Sequence, residues 1–432
     1  MKPYSGYYLQ PRPDTDDLLT NTDAGSPCGT YLRRYWQPFL LASELKDVPL
    51  AVRLLGEDLV VFRDRAGRLG LLHRHCAHRG TSLEFGIPAE RGIRCCYHGW
   101  QFVIDGTILE TPAEPASSRI RQNFHQGAYP VREQHGLLFA YMGPPELMPG
   151  LPLYDTYAHP ADNVLAPFRM SLPCNWLQIV ENAADPVHNA FLHAIMSASG
   201  QFSAAFKVLP VLDYPTTPLG FLSMATRRIG ERIYIRASDI ILPNAGQFPS
   251  GGNTAEHEEF TTRPGIIRWV VPVDNHHAFY IGFGYVNGYN SRQRPMGPES
   301  YGVGKMPVLG QTADRPYEER QREPGDYDAV VSQGPIANRK NEHLGTSDRG
   351  VSILRRTLTQ AIHSLSGEKH PVANPVRTYA HSVVVRCKED VDLTDFGRRV
   401  AAIFIETASL PPLEREQAAE AQIRRLTSGV TA

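Results

Sequence analysis

The chain has 432 residues, more than one ordinary domain needs, so two domains are expected. Hydrophobic residues make up 42% and charged residues 21% of it, and 44 Lys and Arg nearly balance 45 Asp and Glu. This composition is typical of a globular protein that handles small molecules. It gives no support for a nucleic-acid or membrane-surface role.

The sequence also predicts the cellular setting. No apolar run approaches the roughly 18 residues that a membrane-spanning helix needs. The start, MKPYSGYYLQPRPDTDD, has one Lys and no apolar core, so it does not resemble a secretory signal. We therefore expect a cytoplasmic protein without a membrane partner. Its cysteines are too sparse for a disulfide scaffold, and a close group of them indicates a metal site; they are Cys28, Cys76, Cys95, Cys96, Cys174 and Cys387.

The first third of the chain has the pattern of a β-rich domain. After a short predicted helix at Thr30–Trp36, the segment Val52–Leu72 contains two apolar runs separated by the turn Arg65–Arg68. Further strands are predicted at Gln101–Ile108 and Gly136–Met142. The Pro- and Gly-rich stretch at 143–152 is typical of a linker. We therefore divide the chain into the segments 1–45, 46–150 and 151–432.

The rest of the chain predicts an α+β domain. A helix at Asn175–Ala184 is expected to end before Pro186. Strand-like runs follow, namely ERIYIRASDIIL, GIIRWVVPV and AFYIGFGYV. Residues 287–345 are polar and show no sustained hydrophobic periodicity, which predicts a long loop. A loop of that length is usually functional or disordered. Helices are predicted near Arg349 and Pro412, which favours a sheet with helices packed on it.

Two short loops suggest the first metal site. Cys76-Ala77-His78 is followed after sixteen residues by Cys95-Cys96-Tyr97-His98, so each loop offers one thiolate and one imidazole. Two Cys on one iron and two His on the other form the ligand set of a Rieske two-iron, two-sulfur cluster. The alternatives are a Cys₂His₂ zinc site and four unrelated residues. Cys96 is not expected to be a ligand, because its side chain should point away from that of Cys95.

A second site is indicated by His188 and His193. Two neutral imidazoles and one carboxylate form a facial triad that leaves positions on Fe(II) open for dioxygen and substrate. Residues five apart are offset by about 140° on a regular helix. The two histidines can share a metal only where the helix is distorted or ends, and otherwise they are two helix-face residues. The carboxylate candidates are Asp326, Asp328, Glu342 and Asp348.

These motifs resemble one family. The runs His75–Gly80 and Cys95–Trp100 resemble the Rieske motif of aromatic-ring-hydroxylating oxygenases, and Glu181–His193 resembles their mononuclear iron motif, Glu-Asn-x-x-Asp-x-x-His-x-x-x-x-His. Thr81 and Tyr97 stand where respiratory Rieske carriers have disulfide-forming cysteines. The resemblance, to the phthalate-dioxygenase and O-demethylase branch, implies an N-terminal all-β Rieske [2Fe-2S] domain at 46–150. It also implies a helix-grip catalytic domain at 151–432, which consists of an antiparallel sheet with helices. Residues 1–45 are expected to pack on this catalytic domain.

The resemblance also implies residue roles. Cys76, His78, Cys95 and His98 would bind the [2Fe-2S] cluster. His188, His193 and Asp348 would bind the mononuclear iron, because in this branch the ligand is the Asp that opens the following helix. The alternative for Asp348 is stabilisation of a helix N-terminus.

Asp185 is assigned two compatible roles. From the residues alone, Asp185-Pro186 is a favourable N-cap and N1 pair. The resemblance implies that Asp185 is a catalytic residue that links His98 of one subunit to His188 of the next in a homotrimer.

The implied activity is that of a terminal oxygenase. A reductase using a nicotinamide cofactor, flavin and iron–sulfur groups, with or without a ferredoxin, would supply electrons for dioxygen chemistry on an aromatic carboxylate. Arg236, Arg268 and Lys207 are candidates for binding that carboxylate, beside the alternative of ordinary ion pairs. O-demethylation of a methoxy-aromatic acid is favoured over cis-dihydroxylation of a phthalate- or benzoate-type acid. The competing hypothesis, a non-enzymatic Rieske electron carrier, leaves the second metal motif unexplained.

Overall fold

The computed structural model describes residues 17–158, 161–197, 201–293, 296–365 and 375–428. The strands before the predicted linker form three small sheets, ordered β1-β11-β10, β2-β3-β4-β9 and β5-β6-β7-β8. These strands are β1 Gln37–Leu41, β2 Leu50–Leu54, β3 Glu57–Arg63, β4 Leu69–His73, β5 Ile87–Pro88, β6 Ile93–Arg94, β7 Gln101–Phe102, β8 Ile108–Glu110, β9 Ala128–Tyr129, β10 Val131–Gln134 and β11 Leu137–Ala140.

The predicted turn between two apolar runs joins β3 to β4. Gly67 adopts a φ of 82° there, a conformation that glycine accepts without strain. Asp64 fixes the turn, because its carboxylate accepts hydrogen bonds from the backbone N–H groups of Arg68 at 2.9 Å and Gly92 at 3.0 Å. The second bond ties this hairpin to the sheet that carries one of the two Cys/His loops.

The strands after the linker form one ten-stranded sheet with antiparallel pairings. Its main path is β12-β20-β19-β17-β16-β15-β13. The predicted runs at 231–242, 265–273 and 278–286 correspond to β16, β19 and β20. The strands are β12 Val164–Leu172, β13 Val211–Asp213, β14 Thr216–Thr217, β15 Gly220–Ile229, β16 Arg232–Ile241, β17 Ala245–Pro249, β18 Glu259–Thr261, β19 Pro264–Pro272, β20 Ala278–Val286 and β21 His381–Arg386.

Helices pack on this sheet, as the α+β prediction expects. The helices in the described ranges, among which α2 lies beside β8 of a smaller sheet, are α1 Pro27–Arg33, α2 Ile120–Asn123, α3 Trp176–Ala184, α4 His188–Ala190, a π-helix at Phe191–Ile195, α5 Gly288–Gln293, α6 Tyr317–Arg322, α7 Asp326–Val331, α8 Arg349–His363, α9 Leu393–Glu406 and α10 Pro412–Ser428. Short 3₁₀ turns lie at Ala42–Glu44, Leu83–Phe85, Pro145–Leu147, Ala204–Lys207, Pro298–Ser300, Arg339–Asn341, Thr346–Asp348 and Thr407–Ser409.

The helix α3 forms where its sequence predicts it. The side chain of Asn175 caps it by accepting a hydrogen bond from the N–H of Leu177 at 3.1 Å. The same side chain donates to the carbonyl of Thr20 at 3.0 Å, and Trp176 donates to the carbonyl of Leu19. The N-terminal segment therefore contacts the start of α3, while the three-way division of the chain stays a prediction.

The prediction was incomplete near the C terminus, where α9 and β21 were not foreseen. Residues 287–345, which the sequence predicts to be one long loop, contain α5, α6 and α7. Within the described ranges, no helix is both long and apolar enough to cross a membrane.

Candidate metal centres and substrate cavity

The two Cys/His loops have matching backbone geometry. The N–H of Gly80 donates to the carbonyl of Cys76 at 2.8 Å, and the N–H of Gly99 donates to that of Cys95 at 3.1 Å. Both glycines have positive φ, 76° and 72°, which allows each loop to turn back immediately after its histidine. The N–H of Cys76 donates to the carbonyl of Thr81, and the N–H of Cys95 donates to the carbonyl of Trp100.

The loops place like donors side by side. The thiols of Cys76 and Cys95 are both 3% exposed and interact with each other. The imidazole rings of His78 and His98 lie 4.6 Å apart between centroids, and His78 also stacks on the Trp100 indole at 4.5 Å. This pairing of thiol with thiol and imidazole with imidazole is what a cluster with two Cys on one iron and two His on the other requires.

The quartet does not fit a single zinc ion. Four donors about 2.0–2.3 Å from one tetrahedral ion lie within about 4 Å of one another. Among the residues that the structure describes, the one group of three or more His, Cys, Asp or Glu donors within 4.8 Å is a different one, His188, His193 and Asp326. Burial raises the pKa of the Cys76 thiol to about 11. Coordinated iron would therefore have to stabilise its thiolate.

Gln126 braces the first loop and was not foreseen from the sequence. Its side-chain amide donates to the carbonyls of His73 at 2.7 Å and His75 at 2.9 Å, and its oxygen accepts from the N–H of Ala77 at 2.7 Å. Since Gln126 is only 3% exposed, these bonds hold the β4 end and the loop in one position. Cys96 is exposed, which agrees with its predicted exclusion from the ligand set.

The distortion that the second site requires is present. His188 begins α4 and His193 lies in the π-helix Phe191–Ile195, where the N–H of Met196 bonds to the carbonyl of Phe191, five residues back. The wider turn brings residues five apart to the same side of the helix. The two imidazole rings are consequently 5.3 Å apart between centroids.

Asp326, at the start of α7, completes this group. Its carboxylate lies 3.7 Å from Nε2 of His188 and 3.3 Å from Nε2 of His193. Ligands about 2.1 Å from one ion and at right angles are about 3 Å apart, so the three donors are close to chelating geometry. The donor set therefore fits a mononuclear iron with open coordination positions.

Hydrogen bonds hold both histidines in the tautomer that a metal needs. Nδ1 of His188 faces the carbonyl of Asp185 at 2.5 Å, and Nδ1 of His193 faces Oε1 of Gln201 at 2.7 Å. Both partners are acceptors, so each Nδ1 carries the proton and each Nε2 presents its lone pair toward Asp326.

The carboxylate of Asp326 is also held on both oxygens. Asn182 donates to Oδ1 at 3.1 Å and Gln311 donates to Oδ2 at 2.7 Å. Burial acts to raise the pKa of Asp326, but His193 and His188 outweigh it and hold the pKa well below its usual range. Burial likewise acts against the charged form of His193, yet Asp326 leaves the pKa of His193 raised. The raised pKa means that the protonated form of His193 is favoured next to Asp326, and a bound cation would take the place of the proton on Nε2.

The choice of Asp348 as the third ligand is corrected by this geometry. Its carboxylate accepts a hydrogen bond from the N–H of Gly345 at 2.7 Å, just before α8, and does not join the triad. The alternative reading of Asp348, a residue that stabilises the entry to a helix, describes what it does. Of the other candidates, Asp328 pairs with Arg320 and Glu342 pairs with Arg355.

Asp185 lies between α3 and α4, with its side chain 29% exposed. It follows the last residue of α3, and its Oδ1 accepts from the N–H of Val187 at 2.8 Å, so it stabilises the turn between the helices. Its other oxygen is 3.7 Å from Nδ1 of His188. Burial acts to raise the pKa of Asp185, and the contact with His188 outweighs burial and leaves the pKa lowered.

A cavity of about 130 Å³ opens beside the triad. His188, His193 and Asp326 line it together with aromatic, aliphatic and hydroxyl side chains of the sheet and loops. Three arginines also line it: Arg227, Arg236 and Arg268. Two of these were candidates for binding a substrate carboxylate, whereas the third candidate, Lys207, is exposed and does not line the cavity.

Comparison with known proteins agrees with this geometry. The model of the Rieske [2Fe-2S] domain family matches residues 35–130. The oxygenase subunit of tert-butanol monooxygenase / tert-amyl alcohol desaturase from Aquincola tertiaricarbonis is 45% identical over 88% of this chain and 83% of its own. The alpha subunit of phenoxybenzoate dioxygenase from Ectopseudomonas oleovorans is 40% identical over 80% of this chain and 84% of its own.

A solved structure shares the fold. The oxygenase of carbazole 1,9a-dioxygenase, in complex with its ferredoxin, matches with a TM-score of 0.52 and 21% identity over 80% of this chain and 95% of its own. Phthalate 4,5-dioxygenase of Pseudomonas putida and 5,5'-dehydrodivanillate O-demethylase of Sphingobium are also relatives. The chain therefore belongs to the Rieske non-haem iron oxygenases, as an oxygenase (alpha) subunit, and is an enzyme with a Rieske [2Fe-2S] domain.

Proposed function

We propose that this subunit oxidises an aromatic carboxylate with dioxygen at a mononuclear iron held by His188, His193 and Asp326. The observation that carries the proposal is the convergence of these three side chains at a cavity whose lining includes five Phe and Tyr side chains and three arginines. Iron bound there would bind and activate dioxygen, and the Rieske cluster would pass electrons to it. A nicotinamide-dependent reductase, directly or through a ferredoxin, is the proposed source of those electrons.

The cavity supports an aromatic substrate. Phe202 stacks on the His193 ring at 4.5 Å, and Phe206 contacts Phe202 at 4.8 Å, so flat apolar surfaces extend away from the triad. Tyr280 and Phe248 lie on the sheet side. A substrate ring would pack against these surfaces, and the cavity arginines would bind its carboxylate.

The reaction favoured is O-demethylation of a methoxy-aromatic acid. Hydroxylation of the methyl carbon gives a hemiacetal, which releases formaldehyde and the phenol. The second candidate is cis-dihydroxylation of a phthalate- or benzoate-type ring. The relatives include both monooxygenases and dioxygenases by name, so reaction type has to be measured.

The test is an oxygen-uptake screen of aromatic acids with a surrogate reductase, with formaldehyde assayed in parallel. Formaldehyde in step with oxygen supports demethylation, and a cis-diol without it supports dihydroxylation. The control variant His188→Ala should keep the red-brown cluster and its acid-labile sulfide but lose turnover. Normal turnover by this variant would contradict the assignment of the iron site, and a protein with zinc in place of iron and sulfide would contradict the proposed function altogether.

A further inference from the structure

The three arginines of the cavity are buried without a carboxylate partner. Arg227 is 1%, Arg268 is 7% and Arg236 is 9% exposed. In the part of the chain that the structure describes, no ion pair joins any of them to Asp or Glu. A buried charge is costly unless it is paired, so this cluster calls for an anion from outside the chain.

Arg227 differs from the other two in its hydrogen bonds. Arg236 is committed on both Nη atoms, to Oγ of Ser238 at 3.1 Å and to the carbonyl of Pro249 at 2.7 Å. The Arg268 guanidinium lies between the rings of Tyr280 and Phe248, 4.3 and 4.5 Å from their centroids.

Arg227 is held by its Nε alone. That atom donates to the carbonyl of Val208 at 2.9 Å, and the guanidinium lies 4.8 Å from the centre of the Phe206 ring. Both Nη atoms are buried and, among the described residues, have no hydrogen-bond partner. Burial lowers the pKa of Arg227 to about 10; Tyr234 acts against this shift and Arg236 acts in the same direction.

These features match a carboxylate-binding group. Two neighbouring Nη atoms of a guanidinium can donate parallel hydrogen bonds to both oxygens of one carboxylate. The remaining contacts of Arg227 fix its position beforehand, so binding an anion would not have to order the side chain. Burying the Arg227 cation away from water costs free energy in the unliganded protein, and an ion pair with an anionic ligand would offset that cost.

We propose that Arg227 is the carboxylate anchor of the substrate, and that the substrate carries its carboxylate at the end remote from the carbon to be oxidised. The inference rests on the proposed function and deepens it. His193 contacts Phe202, Phe202 contacts Phe206, and Phe206 contacts Arg227, so two aromatic rings separate the Arg227 guanidinium from the triad along this path. This favours a rigid aryl acid substituted across the ring over a small neutral alcohol.

The test compares Arg227→Met with Arg228→Met in the iron-loaded holoenzyme. Arg228 is the next residue of β15 and points to the opposite face of the sheet. There its Nη2 contacts the carbonyl of Val391, and Arg228 does not line the cavity. The probes are 4-methoxybenzoate and its uncharged amide, measured by titration calorimetry and by the shift in the midpoint of thermal unfolding.

The wild-type protein and Arg228→Met should bind 4-methoxybenzoate alike, and Arg227→Met should bind it at least about tenfold more weakly. The amide should bind all three proteins equally. Without ligand, Arg227→Met should unfold at the same or a higher temperature than wild type, because it no longer buries an unpaired charge. Arg227→Lys, which keeps the charge but not the fork, serves as a second variant and should also bind the acid more weakly.

Three results would overturn the anchor. They are equal affinity of the wild type and Arg227→Met for the acid, parallel loss of acid and amide binding, and no binding of the acid by the wild type. Oxygen uptake separates the two proposals. Uptake with neutral alcohols, unaffected by Arg227→Met, would leave an oxygenase whose substrate is not an acid. Acid binding that depends on Arg227 in a protein without oxygen uptake would retain the anchor and contradict the proposed function.

Discussion

Hydrogen bonds from side-chain amides to both carboxylate oxygens of Asp326 limit how that carboxylate can coordinate a metal. Asn182 occupies one oxygen and Gln311 the other, at 3.1 and 2.7 Å. Each oxygen keeps a further lone pair, and the two histidine Nε2 atoms lie on that side. Such supporting bonds usually orient a metal ligand and adjust its affinity, so Asn182 and Gln311 would support the proposed iron site.

The first prediction separates Asp326 from Asp348. Asp326→Ala should remove the mononuclear iron, lowering iron from about three to about two per chain, with sulfide unchanged. Turnover should fall by at least about 100-fold. Asp348→Ala should keep three irons and near-normal turnover, because its carboxylate bonds to Gly345 and lies apart from the triad. Iron and sulfide analysis with oxygen uptake checks both variants, and the reverse pattern would restore Asp348 as the ligand.

The sequence could specify the histidines but not the carboxylate. His188 and His193 sit in one contiguous motif, so their proximity follows from local chain geometry. Asp326 is separated from them by most of the sheet, and the residues alone left four acids of a polar segment as candidates, from which the family resemblance selected Asp348 wrongly. Arg227 was missed for a related reason. Its neighbours on β15 predict only a strand, and its unpaired Nη atoms become visible once the cavity is formed.

At the level of elements, the break between α3 and the π-helix determines where the two histidines of the proposed iron site lie. The sequence showed that a regular helix could not bring the two histidines together, and therefore predicted a distortion. It could not predict which partners brace α3, because those come from α8 and from the segment before it. Glu181 on α3 accepts from Arg355 at 2.7 Å and Arg339 at 3.1 Å, and Arg355 also binds Glu342 at 2.6 Å.

The second prediction concerns this brace. Arg355→Met should leave Glu181 and Glu342 without a shared partner and lower stability by roughly 2 kcal/mol, since the carboxylate of Glu181 is 9% exposed. Arg356→Met is the matched control, because Arg356 is the next residue and is exposed. The midpoint of thermal unfolding should drop for the first variant and stay unchanged for the second. An equal effect of both would mean that the ion pairs do not brace α3.

The third prediction concerns acid stability where α1 meets the first sheets. Glu57 on β3 is 2.9 Å from Arg33 of α1 and 2.6 Å from the hydroxyl of Tyr129. Burial acts to raise the pKa of Glu57, but hydrogen bonds from His73, Tyr129 and Arg33 outweigh it and lower the pKa to about 2. The ionised form is therefore favoured by folding, with an upper limit of about 3 kcal/mol.

Because the folded pKa is depressed, this stabilisation is present above about pH 4.5 and is lost as the pH falls toward 2. Glu57→Gln should unfold at a lower temperature than wild type at pH 7, and the difference should shrink at pH 3. Glu133→Gln, which removes a surface pair with Arg63, should track wild type at both pH values. A difference for Glu57→Gln that does not depend on pH would show that lost packing, not charge, explains it.

On the scale of the whole molecule, side chains beside both proposed metal sites reach the surface. His78 and His98 are half-buried at the surface of their loops, and Tyr97 beside them is 57% exposed. Asp185, between α3 and α4, is 29% exposed while contacting His188. One chain thus presents imidazoles of its cluster site at one surface and a carboxylate joined to its iron site at another. A head-to-tail ring of subunits could join the two, since heterologous interfaces close into rings.

The last prediction tests electron transfer between subunits. A His98→Cys chain would lack the Rieske ligand set, a His188→Ala chain would lack the iron site, and each homo-oligomer should be inactive. Producing both chains together in equal amounts should restore a substantial fraction of turnover, because some interfaces then join an intact cluster to an intact iron site. Introducing Asp185→Asn into the His98→Cys chain, whose iron site is the intact one, should abolish that recovery while both metals remain. Oxygen uptake by mixed assemblies, isolated through a different affinity tag on each chain, measures the effect. No recovery in verified mixed assemblies would instead indicate that electrons pass within one chain.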